Sequence, residues 1–292
     1  MKPVITRQKL PPIGQLLRHS LKTLRRQTPS EFWQGATAVS QHYKATVDAA
    51  RLQKYKHMFN GLLAEVPLNY YYLLAQRAHL HVCTQKNYPY PVLGMVHCSN
   101  EISCYQTPES DLPLDLDVSV IGSEIDQRNN IRLTFKVDFL QQGQLLVCCM
   151  SEYLIKAQGL NGGGVGVKAK SSANHNMPSV DKISATQQYK ANMGIKYARV
   201  SGDFNPIHLY RFSAKLFGFK RPILHGMCLA ACAQEFIEMN FGNPVVSMNI
   251  AFMRPVFLPS AVKIVADSEQ GVLQFKSHIG NKTHAQVRFT AV

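Results

Sequence analysis

Residues 197–227 read YARVSGDFNPIHLYRFSAKLFGFKRPILHGM. An acid, Asp203, stands five residues before an imidazole, His208, with Asn205-Pro206 between them. Proline fixes its own φ and turns the preceding residue away from helix, so the stretch reads as a bent loop that can aim both side chains into one pocket. A carboxylate and a neutral imidazole directed at one water are what general acid–base chemistry needs. The stretch ends in Leu224-His225-Gly226-Met227, ahead of an apolar run that reads as a helix. A glycine at a helix start leaves backbone N–H groups free at the positive end of the dipole, a candidate oxyanion site. Taken singly, Asp203 reads as a turn cap and His208 as a satisfied buried imidazole. The whole spacing together reads as a catalytic pair, with His225 bracing the loop.

These residues resemble the MaoC-like dehydratases, the R-specific enoyl-CoA hydratases. The family hallmark runs S/G-D-x-N-P-I/L-H, then a phenylalanine-rich spacer, then R-P-I-x-H-G-M. Here it stands as Ser201-Gly202-Asp203-Phe204-Asn205-Pro206-Ile207-His208, Gly218-Phe219 and Arg221-Pro222-Ile223-Leu224-His225-Gly226-Met227. The resemblance implies reversible hydration of trans-2-enoyl thioesters to (R)-3-hydroxyacyl thioesters in fatty-acid metabolism, with no metal or other cofactor. It implies that Asp203 and His208 hold and activate the water, that the Gly226 N–H binds the thioester oxygen, and that Asn205 orients the loop. Met227, Lys220 and Arg221 would lie on the substrate side, the two cations toward the phosphates of CoA or of an acyl carrier protein. Many relatives carry an acid two positions after the histidine. This chain has Tyr210 there, which reads as a change in loop packing or substrate access.

A chain of 292 residues fits one large domain or two of about 140. Hydrophobic residues make up 46%, enough for a real core. The seven cysteines form no C-x-x-C and no Cys/His cluster with zinc spacing, which reads as free thiols in a reducing cytoplasm. No stretch is long and apolar enough for a transmembrane helix, and the first residues lack the apolar core of a secretory signal. The net charge is +14, and residues 1–30 hold seven Lys or Arg and no acid. That charge suits CoA phosphates, an acidic carrier protein or anionic lipid. Peripheral membrane contact through residues 1–30 and self-association into a homo-oligomer stay open. Nucleic acid is not expected, because no recognised motif accompanies the charge.

Four segments follow along the chain. Residues 1–35 read as a basic appendage, with Ile13, Leu16, Leu17, Leu21 and Leu24 near helical spacing. Residues 36–156 form a first half. Pro67 leads a helix over Asn69–Gln76, and strands are expected at Val92–His97, Ile131–Phe139 and Leu145–Met150. Residues 157–180, rich in Gly and Ser, read as a linker. Residues 181–292 repeat the plan: the motif loop, a helix over Met227–Met239, then strands at Val245–Phe252, Ala261–Ala266, Val272–His278 and Ala285–Ala291. A long helix followed by antiparallel strands is an α+β arrangement. The resemblance names it a tandem, or double, hotdog fold, each half a long central helix wrapped by an antiparallel sheet. Val66-Pro67-Leu68-Asn69-Tyr70 and Tyr88–His97 resemble the N-terminal half of double-hotdog members. That half lacks D-x-N-P-x-H, so it reads as a degenerate partner that shapes an acyl tunnel. An acyl thioesterase of the same fold and a non-catalytic thioester-binding subunit are the alternatives.

Overall fold

The computed structural model describes residues 6–26, 33, 36, 39–93, 95–127, 129–156, 182–280 and 282–292. The expected linker at 157–180 lies outside the described residues. The chain forms two compact units. One comprises residues 1–55, 64–97 and 101–160. The other comprises 56–63, 98–100 and 161–292.

The first unit contains β1 (Gln8–Lys9), α1 (Ile13–Lys22), β2 (Ser40–Ala45), most of α2 (Ala49–Met58) and α3 (Leu68–Thr84). Four strands follow: β3 (Val96–Cys104), β4 (Leu114–Ile125), β5 (Ile131–Gln141) and β6 (Gln144–Ile155). The helix expected from Asn69 begins after Pro67, whose C=O accepts from the Tyr70 N–H at 2.8 Å, and runs on to Thr84 because nothing in RAHLHVCT breaks it. Tyr70 to Ala75, Ala78 and Val82 are all buried, so α3 is apolar nearly all round, as a central helix must be. Strands run in the order β1-β2-β4-β5-β6-β3. The β2–β4, β4–β5 and β5–β6 pairs are antiparallel. On β5, Ile131, Leu133, Phe135, Val137 and Phe139 face the core, the period of two that the sequence shows.

One feature of this unit differs from the sequence reading. The strand expected at Val92 begins only at Val96; Val92 and Leu93 make a turn, since the flanking prolines remove ladder donors. Of the segment read as a basic appendage, α1 packs its apolar stripe within the unit, as such helices more often do. Leu16 of α1 is buried, and α1 packs on α3. The Arg26 guanidinium donates to the carbonyls of Cys83 and Gln85, each at 2.8 Å, placing a cation on the C-terminal end of α3 where the helix dipole is negative. On α3, buried His79 has its Nδ1 3.1 Å from the Tyr153 hydroxyl. Burial, with His97 nearby, lowers its pKa to about 3.

The second unit contains β7 (Lys182–Tyr189), α4 (Met193–Ser201), α5 (Arg211–Leu216) and α6 (Gly226–Phe241). Four strands complete it: β8 (Val245–Phe252), β9 (Ser260–Asp267), β10 (Val272–Ser277) and β11 (Thr283–Ala291). Its strand order is β8-β11-β10-β9-β7, antiparallel throughout. Helix α6 is buried from Met227 to Gln234 and again at Ile237 and Glu238. Two carboxylates on it hold residues 56–63 within this unit: Gly61 N–H donates to Glu235 at 3.1 Å and Leu63 N–H to Glu238 at 2.6 Å. Each unit is therefore a central helix, α3 or α6, against antiparallel strands: the α+β hotdog arrangement, twice in one chain.

All seven cysteines are free thiols, and six of them are buried. Burial pushes the Cys83 and Cys148 thiols up to about 12. No helix among the described residues is long and apolar enough to cross a membrane.

Candidate active site

The loop after α4 is shaped by its own backbone bonds. Helix α4 stops at Gly202, whose φ of 82° lies in the left-handed region and whose N–H donates to Ala198 O at 2.8 Å. Asp203 follows at once. Its N–H donates to Ser201 Oγ at 3.1 Å, and its Oδ1 accepts from Asn205 N–H at 3.1 Å. Pro206 then opens a single 3₁₀ turn, closed by His208 N–H to Asn205 O at 3.1 Å. Ser213 of α5 donates its hydroxyl to Pro206 O at 2.7 Å. The chain returns through Ile223, whose N–H donates to Ile207 O at 3.1 Å, and reaches His225 at the start of α6.

Asp203, half-buried, and His208, 8% exposed, come together with His225, 1% exposed. One donor atom from each of the three lies within 4.8 Å of the others. A water about 2.8 Å from each of two atoms spans such a gap. The imidazoles of His208 and His225 stack with centroids 3.8 Å apart at 25°. His208 Nδ1 is 2.8 Å from Ile223 O. A carbonyl only accepts, so Nδ1 carries the proton and Nε2 of neutral His208 offers a lone pair. By the same argument His225 Nε2, 3.0 Å from the Asp203 carbonyl, donates to it. Burial lowers the His208 pKa against the opposing pull of Asp203 and of the Ile223 bond. His225, buried beside His208, falls to about 3 and stays neutral at physiological pH. It ties the start of α6 to the Asp203 backbone. His208 Nε2 and His225 Nδ1 are the ring nitrogens outside these two backbone bonds, in one cluster with the Asp203 carboxylate.

At α6, Cys228 N–H bonds back to His225 O at 3.1 Å. The N–H groups of Gly226 and Met227 precede that first bond and have no acceptor within the helix. Met227 itself is buried. Lys220 and Arg221 lie exposed on the loop between α5 and α6, and the Arg221 guanidinium rests 5.7 Å from the centre of the Phe257 ring. Tyr210 is 61% exposed at the start of α5, away from the buried cluster. Asn205 lies within the loop's own hydrogen bonds, accepting from Ile207 N–H at 3.5 Å.

Some residues that shape this site carry no motif. A Cβ on Gly194 would fall well inside contact distance of the His208 carbonyl, so only glycine lets α4 approach the loop. A glycine inside a helical run is the one sequence hint of such an approach. Ser213 reads as an ordinary polar residue until the loop is seen folded.

Residues 174–288 match the MaoC-like domain. The 3-hydroxyacyl-thioester dehydratase X of Mycobacterium tuberculosis is 26% identical over 209 residues, covering 71% of this chain and 72% of its own length. The mouse peroxisomal multifunctional enzyme type 2 is 24% identical over 233 residues, which cover 77% of this chain but 28% of that larger protein. A crystal structure of HtdX from Mycobacterium tuberculosis superposes with a TM-score of 0.71 at 22% identity, covering 87% of this chain and 100% of that one, a likeness of fold. The span so matched, residues 174–288, holds the Asp203–His208 loop and α6, and in it the chain is similar to the MaoC-like domain.

Proposed function

We propose that the chain catalyses the reversible hydration of trans-2-enoyl thioesters to (R)-3-hydroxyacyl thioesters. The observation that carries this reading is the fixed tautomer of His208, whose Nδ1 donates to Ile223 O so that Nε2 keeps the lone pair, on a ring clustered with the Asp203 carboxylate. A water bound between them gives one proton to His208 Nε2 as its oxygen bonds to C3 of the substrate. The π electrons shift toward the thioester oxygen, where the Gly226 N–H stabilises the developing charge. They return to C2, which takes the proton from His208. Loss of water runs the same steps backward. Asp203 holds the water and stabilises the imidazolium that forms between the two proton transfers.

The carrier of the acyl group is CoA or an acyl carrier protein. Positive charge beside the motif supports that: Arg211, Lys215, Lys220 and Arg221 stand in a run from 204 to 234 that contains no acid. Lys220 is exposed and serves as a phosphate contact, while Arg221 is partly committed to Phe257. The free thiols fit a reducing compartment such as the cytoplasm.

The test is a spectrophotometric assay on enoyl thioesters from C4 to C16, on both carriers, with thiol release followed in parallel. The expected result is loss of the enoyl band without thiol release. Asp203→Asn, folded by circular dichroism, should lower kcat about 10²–10⁴-fold. Lys220→Glu should raise KM at low salt only, because exposed charges act through screened attraction. Thiol release without hydration would make the protein a thioesterase, and a wild-type rate in Asp203→Asn would end the catalytic assignment.

A further inference from the structure

Away from the motif, the first unit contains a cavity of about 400 Å³ lined by Arg7, Lys9, Lys44 and Arg77, with Leu10, Ala45, Thr46 and Pro113. That volume lies in the range of small-molecule sites. Half of the lining is cationic and none of it is acidic.

Lys9 and Lys44 are exposed, but the ladder sets their positions. Lys9 of β1 and Lys44 of β2 are ladder partners, so both ammonium groups leave the same face of the sheet. Like charges set opposite each other cost stability unless an anion lies between them. Two acids lie on neighbouring β4, and Arg7 already takes both. Its Nε is 3.1 Å from Asp115, and it also pairs with Asp117, which His42 reaches at 2.7 Å. No ion pair to Lys9 or Lys44 is present among the described residues. Arg77 reaches the cavity from α3. Its Nη2 donates to Leu10 O at 3.2 Å and Pro11 O at 2.9 Å, which fixes the guanidinium, while its Nε–H is buried with no acceptor. A buried donor left without an acceptor costs stability.

We propose that this cavity binds a phosphate-bearing small molecule, with Lys9 and Lys44 on the phosphate, Arg77 as a fixed donor, and Leu10, Ala45 and Pro113 against the organic part. A phosphate supplies what the site lacks: charge between the paired lysines and oxygens for unused donors. The site is independent of the hydration chemistry, and its test reads binding, not turnover.

The probe is inorganic pyrophosphate, titrated into the full chain by calorimetry at low salt. Saturable binding is expected, at least about tenfold weaker in the Lys9→Glu/Lys44→Glu double variant and weakened by added salt. Lys9→Gln/Lys44→Gln gives the same direction without charge reversal, and melting curves check that both variants fold. Lys263→Glu, an exposed strand lysine of the second unit, controls for net charge and should bind as wild type. Absence of binding, binding unchanged in both double variants, or equal weakening in Lys263→Glu would overturn the site. So would binding to phosphatidylglycerol vesicles with none to pyrophosphate, which would make the patch a lipid-facing surface.

Discussion

A methyl group added to Gly194 has nowhere to go except into the carbonyl of His208. Gly194→Ala should therefore push the 3₁₀ turn away from α4 and move Nε2 out of reach of the water. We expect kcat to fall about tenfold or more with KM little changed, since misplacing a reacting group by about 1 Å costs up to 10². A fully active Gly194→Ala enzyme would show that the loop tolerates the shift. This is also the scale at which the sequence is most and least readable. Asp203, His208 and Gly226 stand within 24 residues, so their spacing alone proposes a shared purpose. The contact between Gly194 and His208 is one of backbone shape, and shape leaves no residue type behind except the glycine itself. The bonds from His208 to Ile223 O and from His225 to Asp203 O are equally silent, because any residue presents a carbonyl.

Among the elements, α6 holds the least replaceable polar group outside the loop. Glu238, 1% exposed, accepts from Gln234 at 2.8 Å, Val245 N–H at 3.0 Å and Leu63 N–H at 2.6 Å. Glu238→Leu would remove this acceptor from the buried Val245 N–H and Gln234 amide and from the part-buried Leu63 N–H, at a cost of about 3 kcal/mol. Glu238→Gln, which keeps an acceptor, should cost less. Urea denaturation separates them, and equal midpoints for Glu238→Leu and wild type would show that water reaches these groups. Clean periodicity is legible: β5 runs over the expected Ile131–Phe139 and two residues more, and β8 runs over the expected Val245–Phe252. Strand β4 alternates just as clearly in Leu114, Leu116, Val118 and Val120, with Asp115 and Asp117 between them, and the sequence reading has no strand there. Helices α4 and α5 are too short to show a period.

At the scale of the whole molecule, a repeated order of helix then strands conveys two similar halves, and the family resemblance implies that each is a hotdog. Nothing in the sequence conveyed that residues 56–63 would group with the second unit, because the link runs through Glu235 and Glu238, more than 170 residues away. Each unit also contains a buried neutral histidine, His79 in one and His225 in the other, both lowered to about 3. In the unfolded chain each would titrate near 6.5. Below that pH the unfolded state takes up protons the folded state refuses, so stability is whole above about 6.5 and falls steadily toward pH 3. Each histidine contributes a slope of about 1.4 kcal/mol per pH unit. Denaturation midpoints measured at pH 7, 6 and 5 should fall in turn, and a flat profile across that range would show that one or both rings protonate in place.

The seven thiols give the molecule an internal clock. With six of them shut inside the two units, a colourless reagent that turns yellow on meeting a thiolate should first register about one equivalent, from Cys104, slowed by the burial that raises its pKa. The other six become visible only as fast as the chain opens. Cys228 and Cys232 ride on the helix that begins at Gly226, and Cys83 on the central helix of the other unit. The slow yellowing would thus time the breathing of each core separately, one cysteine variant at a time, with no label introduced.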